Sequence, residues 1–319
     1  MLRSVGPWSI DGARAQHQGV TALPEQLPRT DPVRRVVVGV DGSPASLAAL
    51  AWSTGAVGPA GDVLAVHAVA DPTAADAAQL EQWVAAVPAD GATITWRCAA
   101  GDPIAALLAA ADEVDADLVA VGAHGRSKVS PPILGHVVSG LVHRCERPVA
   151  IVGEHLAPSS AAPTTVVAGV GRGVATRAAL DWAARFADAR GTSLTLIHAV
   201  MTSPVFRTGG LLDAIAYYVD PGVLRKWAND DLAELADQIH ESTERGVPVS
   251  WAVPTGSVGA RLVDASADAS LLVVGRHHDQ RPRRHGVPHA LHHAIIHAPC
   301  PVVVVPVAGG PPAEGPQAR

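Results

Sequence analysis

Cysteine, lysine and aromatic residues are all scarce in this 319-residue chain, and each scarcity excludes something. The three cysteines, Cys98, Cys145 and Cys300, lie far apart and form no CxxC. That removes a disulfide framework and a cysteine zinc site, and leads us to expect a cytoplasmic protein. Aromatics make up 3% of residues, so the core has to be built from Ala, Val, Leu and Ile. No apolar run approaches the roughly 18 residues of a membrane span. The opening MLRSVGPWSIDGARA lacks the continuous apolar centre of a secretion signal. A formal charge of −6 offers no global attraction to nucleic acid, and aromatic side chains for stacking on bases are few. Neither nucleic acid nor a membrane is therefore expected as a partner. What is abundant excludes disorder for the bulk of the chain: 48% hydrophobic residues against 17% charged. The length suits two domains better than one.

The chain repeats itself. RRVVVGVDGS (34–43) returns as TTVVAGVGRG (164–173), and LAALAW (47–52) as RAALDW (177–182). VLAVHAV (63–69) returns as LTLIHAV (194–200), DADLVAVGAHG (115–125) as DASLLVVGRHH (268–278), and RPVAIV (147–152) as CPVVVV (300–305). The offset grows from 130 residues early to 153 late, so the second copy carries extra residues in its middle. The Pro-, Gly- and Arg-rich residues 1–32 are expected to form a mobile tail, 153–163 a linker and 307–319 a second tail, leaving domains at 33–152 and 164–306. Repeat 1 carries 7 basic and 12 acidic residues, and repeat 2 carries 13 of each.

Strands and helices alternate within a repeat. Val36–Val40 is a continuous apolar run, as expected of a strand covered on both faces. Ser43-Pro44 then supplies a helix cap and first turn, and an Ala/Leu-rich helix runs to about Ala56. The pattern predicts a strand at Val63–Val69, a helix at Ala74–Val87, an edge strand at Ala92–Cys98, and a helix from Asp102-Pro103 to about Val114. A strand at Leu118–Val121, a loop at Ala123–Leu134, a helix from Gly135 to about Cys145 and a strand at Val149–Val152 complete the repeat. This βαβαβαβαβ order implies an α/β fold with a doubly wound parallel sheet.

In such sheets ligands bind beyond the carboxyl ends of strands, where the strand order reverses. Asp41 follows the first strand, Gly122-Ala-His-Gly125 follows the fourth, and Gly135 opens a helix nine residues further on. Glycines let main-chain N–H groups approach phosphate oxygens, and a helix N-terminus adds partial positive charge. Together these can cradle a polyphosphate while Asp41 holds a ribose hydroxyl or base edge.

At VVVGVDGS, VHAV, the spacing of Gly122, Gly125 and Gly135, and the closing Pro-Val runs, the chain resembles the universal stress protein family in its tandem form, over about residues 33–306. The resemblance implies two five-stranded parallel-sheet domains, strand order 3-2-1-4-5, packed as an intramolecular pseudo-dimer. It also implies pairing of the last strands, Val149–Val152 and Val302–Val305, across the repeat–repeat interface, and allows a further homodimer. It implies ATP as ligand, with magnesium as a companion ion: Asp41 to the nucleoside, the Ala68 backbone to adenine, and Gly122, Gly125, Arg126, Ser127, Gly135, His136 and Val137 around the phosphates. The family has Ser or Thr after the third glycine, where this chain has His136. A protonated imidazole still donates to phosphate.

Repeat 2 departs further. Asp41 is replaced by Gly171, Ser43 by Gly173, Gly125 by His278 and Gly135 by Pro288, and only Gly275 survives of the triplet. The expectation is a stress-response regulatory module that binds ATP through repeat 1 alone. The alternative is a nucleotide-independent interaction scaffold of the same fold.

No catalytic set is present. No dinucleotide GxGxxG follows the first strand, and no GxxxxGK(S/T), GxSxG or SGGxDS occurs, so the chain is not expected to be an enzyme. His277, His278, His285, His289, His292, His293 and His297 crowd 275–297, but Ala290, Leu291, Ala294 and Ile295 fall on the opposite helix face. A solvated polar face is expected, with a metal- or pH-responsive surface at 277–297 as the weaker alternative. Arg276, Arg281, Arg283 and Arg284 form a local basic patch, read either as a mobile charged loop or as a site that recruits an anion. His67 and His198 occupy equivalent strand positions and are expected to be structural. Tyr217 and Tyr218 carry no evident chemistry.

Overall fold

The computed structural model describes residues 31–125, 134–154, 165–171, 174–200, 221–276 and 287–307. Most of both tails and of the linker, the Arg126/Ser127 segment, Gly173, Tyr217, Tyr218, and the segment holding His277, His278, His285, Arg281, Arg283 and Arg284 lie outside these residues.

Repeat 1 runs β1 (Arg35–Gly39), α1 (Pro44–Val57), β2 (Asp62–Val69), α2 (Ala74–Ala85), β3 (Thr93–Ala100), α3 (Pro103–Glu113), β4 (Leu118–Gly122), α4 (His136–Arg144) and β5 (Val149–Val152). Repeat 2 runs β6 (Thr165–Gly169), α5 (Val174–Arg190), β7 (Ser193–Ile197), α6 (Pro221–Ser242), β8 (Val249–Ala252), α7 (Val258–Ala265), β9 (Leu271–Gly275), α8 (His289–His297) and β10 (Val302–Val305). Helix starts follow the chemistry of the residues before them. Ser43 caps α1, with Pro44 in its first turn. Thr73 and Asp76 form a reciprocal capping box on α2, and Asp102 caps α3. β3 runs two residues past the expected Cys98, because β2 is long enough to pair Ala99 and Ala100 with Ala68 and Val69. Some of the extra residues of repeat 2 lengthen α6 to 22 residues, against 12 in α2.

The ten strands of the described residues form one sheet, ordered β3-β2-β1-β4-β5-β10-β9-β6-β7-β8. Within each repeat the pairing is parallel and the order is the expected 3-2-1-4-5. At the centre β5 and β10 pair antiparallel, Ala150 opposite Val303. Both are buried along their whole length, so the pairing covers two edges that would otherwise be apolar and exposed.

Successive strand residues point to opposite faces. Val36, Val38 and Val40 join one apolar cluster with Leu50 and Leu80, which continues into repeat 2 through Leu180, Trp182 and Leu196. Val37 and Val119 join the other, which continues through Leu272 and Ile295. Each core therefore crosses the seam.

Two arginines of repeat 2 close helix ends of repeat 1, one on each face. Arg190 donates to the Ala56 carbonyl in the last turn of α1, pairs with Asp31 at 3.2 Å and lies 3.6 Å over the Phe186 ring. Arg276 Nη1 donates to the carbonyls of Val142 (2.9 Å), His143 (3.2 Å) and Cys145 (2.7 Å) at the end of α4. The last carbonyls of a helix lack partners and carry partial negative charge, so a guanidinium there is favourable. This corrects the expectation for Arg276: it is a structural clasp between repeats and not a free member of an anion-recruiting patch.

Replacing Arg276 with Ala should lower the stability of the chain by about 1.5–3 kcal/mol, the worth of hydrogen bonds made by a charged group. Urea unfolding followed by tryptophan fluorescence reads this directly; an unchanged midpoint and slope would remove the clasp from the stability of the seam.

Candidate functional site

β1 and β4 are neighbours at the point where strand order reverses in repeat 1. A cleft of about 360 Å³ opens beyond their carboxyl ends. Of the residues expected there, Asp41, Ala68, Gly122, Gly125, Gly135, His136 and Val137 all line it. Arg126 and Ser127 lie outside the described residues.

Asp41 is held by its own turn. Its Oδ1 accepts from Ser43 N at 2.9 Å and Ser43 Oγ at 2.6 Å. Its backbone N–H donates to Ser46 Oγ at 3.3 Å. Oδ2 turns toward Gly125, where a Cβ would come within 2.9 Å of it. Gly42, at φ +77°, lets α2 close over the turn: a Cβ there would meet the Trp83 ring at 2.2 Å. Trp83 in turn meets His67 edge-on, with centroids 5.2 Å apart. His67 Nδ1 donates to Val40 O at 2.7 Å, and His198 makes the matching bond to Val170 O at 2.9 Å. The two strand histidines therefore tie the first two strands of each repeat together.

The three motif glycines have different reasons to be glycine. A Cβ on Gly122 would lie 2.7 Å from Ala45 C and Ser46 N, so the first turn of α1 packs on it. Gly275 has the same contact in repeat 2, 2.2 Å from Ala175 O. This packing explains why Gly275 outlasts the rest of the motif. Gly125 makes room for the Asp41 carboxylate, and in repeat 2 both are gone together, replaced by His278 and Gly171. Gly135 has no such demand: its nearest neighbour to a built Cβ is 3.7 Å away. Its backbone (φ −58°, ψ 146°) matches that of Pro288 (φ −50°, ψ 137°). As N-cap of α4 it offers no side chain to the first-turn N–H groups, in contrast to Ser43 on α1.

The repeat 2 counterpart keeps the fold without the carboxylate. Gly171 N donates to Thr176 Oγ1 at 3.1 Å, as Asp41 N does to Ser46. The sequence reading missed Ser43 and Ser46 as partners of Asp41, and His124, Pro103 and Leu107 as cleft wall. The Asp-Gly-Ser order, with an acceptor two residues before a cap, was the available signal for the serines.

The fold and site thus define a tandem pair of doubly wound α/β repeats, with the complete turn-and-glycine arrangement in the first. The model of the universal stress protein family matches residues 32–153 and 163–306, and the chain belongs to that family. It is 35% identical over 147 residues to the universal stress protein Rv2623 of Mycobacterium tuberculosis, covering 44% of this chain and 46% of that one. It is 32% identical over 168 residues to the universal stress protein Mb2028c of Mycobacterium bovis, covering 51% and 52%. The chain spans about half the length of the curated relatives it matches. Among solved structures, a universal stress protein from Archaeoglobus fulgidus shares the fold with a TM-score of 0.56 at 17% identity, over 86% of this chain and 97% of that one. Among the described residues no helix is long and apolar enough to cross a membrane.

The sorting of the glycines predicts a contrast. Gly122→Ala should cost roughly 1–3 kcal/mol through overpacking against the α1 backbone, whereas Gly135→Ala should cost less, about 0.5–1 kcal/mol, the difference between Gly and Ala at an N-cap. Chemical unfolding of the two variants checks it; equal losses would contradict the assignment.

Proposed function

We propose that the repeat 1 cleft binds an adenine nucleotide, ATP, and that the protein acts as a regulatory module through this single site. The observation that carries the reading is the juxtaposition, in one cleft, of an oriented carboxylate and a helix N-terminus without a side-chain cap. Repeat 2 folds without the carboxylate and with proline in place of Gly135, so the fold does not require the arrangement. In this reading Asp41 accepts from a nucleoside hydroxyl, and the backbone at Ala68 meets the base. The N–H groups around Gly125, Gly135, His136 and Val137 face the phosphates, where the α4 dipole favours negative charge. Arg126 and Ser127 would complete the phosphate loop. His136 adds a donor when protonated. Asp41 is the sole carboxylate among the lining residues and is engaged with Ser43, so a magnesium companion would ride on the phosphates. No residue of the cleft is assigned as a general base, and the role is binding rather than turnover.

The replacement of the family's hydroxyl by His136, together with the lost motif in repeat 2, favours a second reading, a scaffold that acts without nucleotide. Calorimetric titration of ATP into wild type and Asp41→Ala separates them. Loss of a hydrogen bond to the charged group, about 1.5–3 kcal/mol, should weaken binding roughly 10–150-fold. Equal affinities would remove Asp41 from the site. Absence of binding heat and of any thermal shift at millimolar ATP would favour the scaffold.

A further inference from the structure

The histidine-rich helix is the motif of the sequence that the cleft leaves unused. Along α8, His289, His293 and His297 recur at four-residue spacing. His289 and His297 are exposed, as expected of an outer face, but His293 is half-buried against α7. A Cβ built on Gly259 of α7 would lie 2.9 Å from His293 Cβ and 3.0 Å from Ala290 O, so the two helices cross closely at this glycine. Repeat 1 builds the matching crossing the other way round. There the glycine is Gly140 on α4, and Ile104 of α3 fills the space, 2.2 Å from a built Cβ. Repeat 2 has moved the glycine to the opposite helix and put an imidazole where an apolar side chain would pack, which calls for a reason beyond packing.

The ring geometry supplies one. The His293 and His297 centroids are 4.5 Å apart, tilted by 48°, whereas His289 and His293 are 6.5 Å apart. With metal–nitrogen bonds of about 2.0–2.1 Å, two imidazoles on one ion hold their ring centres roughly 4.5–5.5 Å apart for bond angles between square and tetrahedral. His293 and His297 stand at that separation, and His289 does not.

We propose that His293 and His297 form a two-imidazole site for a divalent transition metal ion, of the zinc, nickel or copper class, at the α7–α8 crossing of repeat 2. An all-nitrogen donor pair suits these ions and discriminates against magnesium and calcium. Among the described residues no group of three or more metal-ligating side chains assembles, so the proposal rests on this pair. The site is independent of the nucleotide reading.

The test uses the full chain, dialysed against chelator and titrated with zinc alone, nickel alone and magnesium alone. One equivalent of zinc or nickel should bind, magnesium should not, and affinity should fall as pH is lowered because protons compete for the imidazoles. His297→Ala should weaken binding by at least the roughly 10–100-fold that loss of a mere outer-shell partner costs. Because His297 is exposed, this variant spares the core; His293→Gln gives the same reading while keeping side-chain volume. His289→Ala should bind as wild type. Copper added to the wild type should show hyperfine coupling to two nitrogens by electron paramagnetic resonance. Wild type that retains no metal, unchanged binding in the His293→Gln/His297→Ala double variant, or equal loss in His289→Ala would each overturn the proposal.

Discussion

The antiparallel pairing of β5 with β10 is the contact on which the rest of the molecule depends. Each repeat ends in a short strand whose residues are buried along its entire length. A five-stranded repeat standing alone would present that strand as an apolar edge with unpaired main-chain groups. Setting Val149–Ile151 against Val302–Val304 satisfies both edges at once and makes the two sheets one. The same seam lets the apolar clusters on both faces run from one repeat into the other, and it brings the end of α4 within reach of Arg276.

With the repeats locked together, their sequences have diverged in a way that divides the work. Repeat 1 holds the carboxylate turn, the open helix start and the cleft. Repeat 2 supplies the arginines that cap α1 and α4. The charge difference between repeats has a structural expression here, since the acidic repeat keeps the carboxylate turn and the neutral one contributes the cations that close the acidic repeat's helix ends. The exchange of glycine between helices at the α3–α4 and α7–α8 crossings shows the same process in the cores: Gly140 with Ile104 in one repeat, Gly259 with His293 in the other.

Much of this was legible in the residues. Buried strands announced themselves as valine runs, and helix starts as Ser43-Pro44 and Asp102-Pro103, because the local chemistry decides those features. The internal repeat showed two copies of one βα alternation, and the strand order within each came from the family resemblance alone. The positions around Asp41 gathered in one cleft because each follows or opens an element at the same end of the sheet. What the sequence could not reveal were contacts between distant residues. Gly122 and Gly125 look alike in a motif, yet one yields to the α1 backbone and the other to a carboxylate. Arg276 sat in a basic run and read as surface, while its partners lie more than 130 residues away in sequence. His293 read as solvent-facing from helical periodicity, because nothing local shows that Gly259 leaves room for it.

Native-state hydrogen exchange measured across the whole sheet tests the seam most directly. If β5 and β10 are the centre of one cooperative sheet, the amides of Ala150 and Val303 exchange only by the same global opening as those of Val37 and Val167. Central amides that exchange through a lower-energy opening, with the two repeats keeping separate protection of their own, would show two bodies merely touching and would contradict the single-sheet structure.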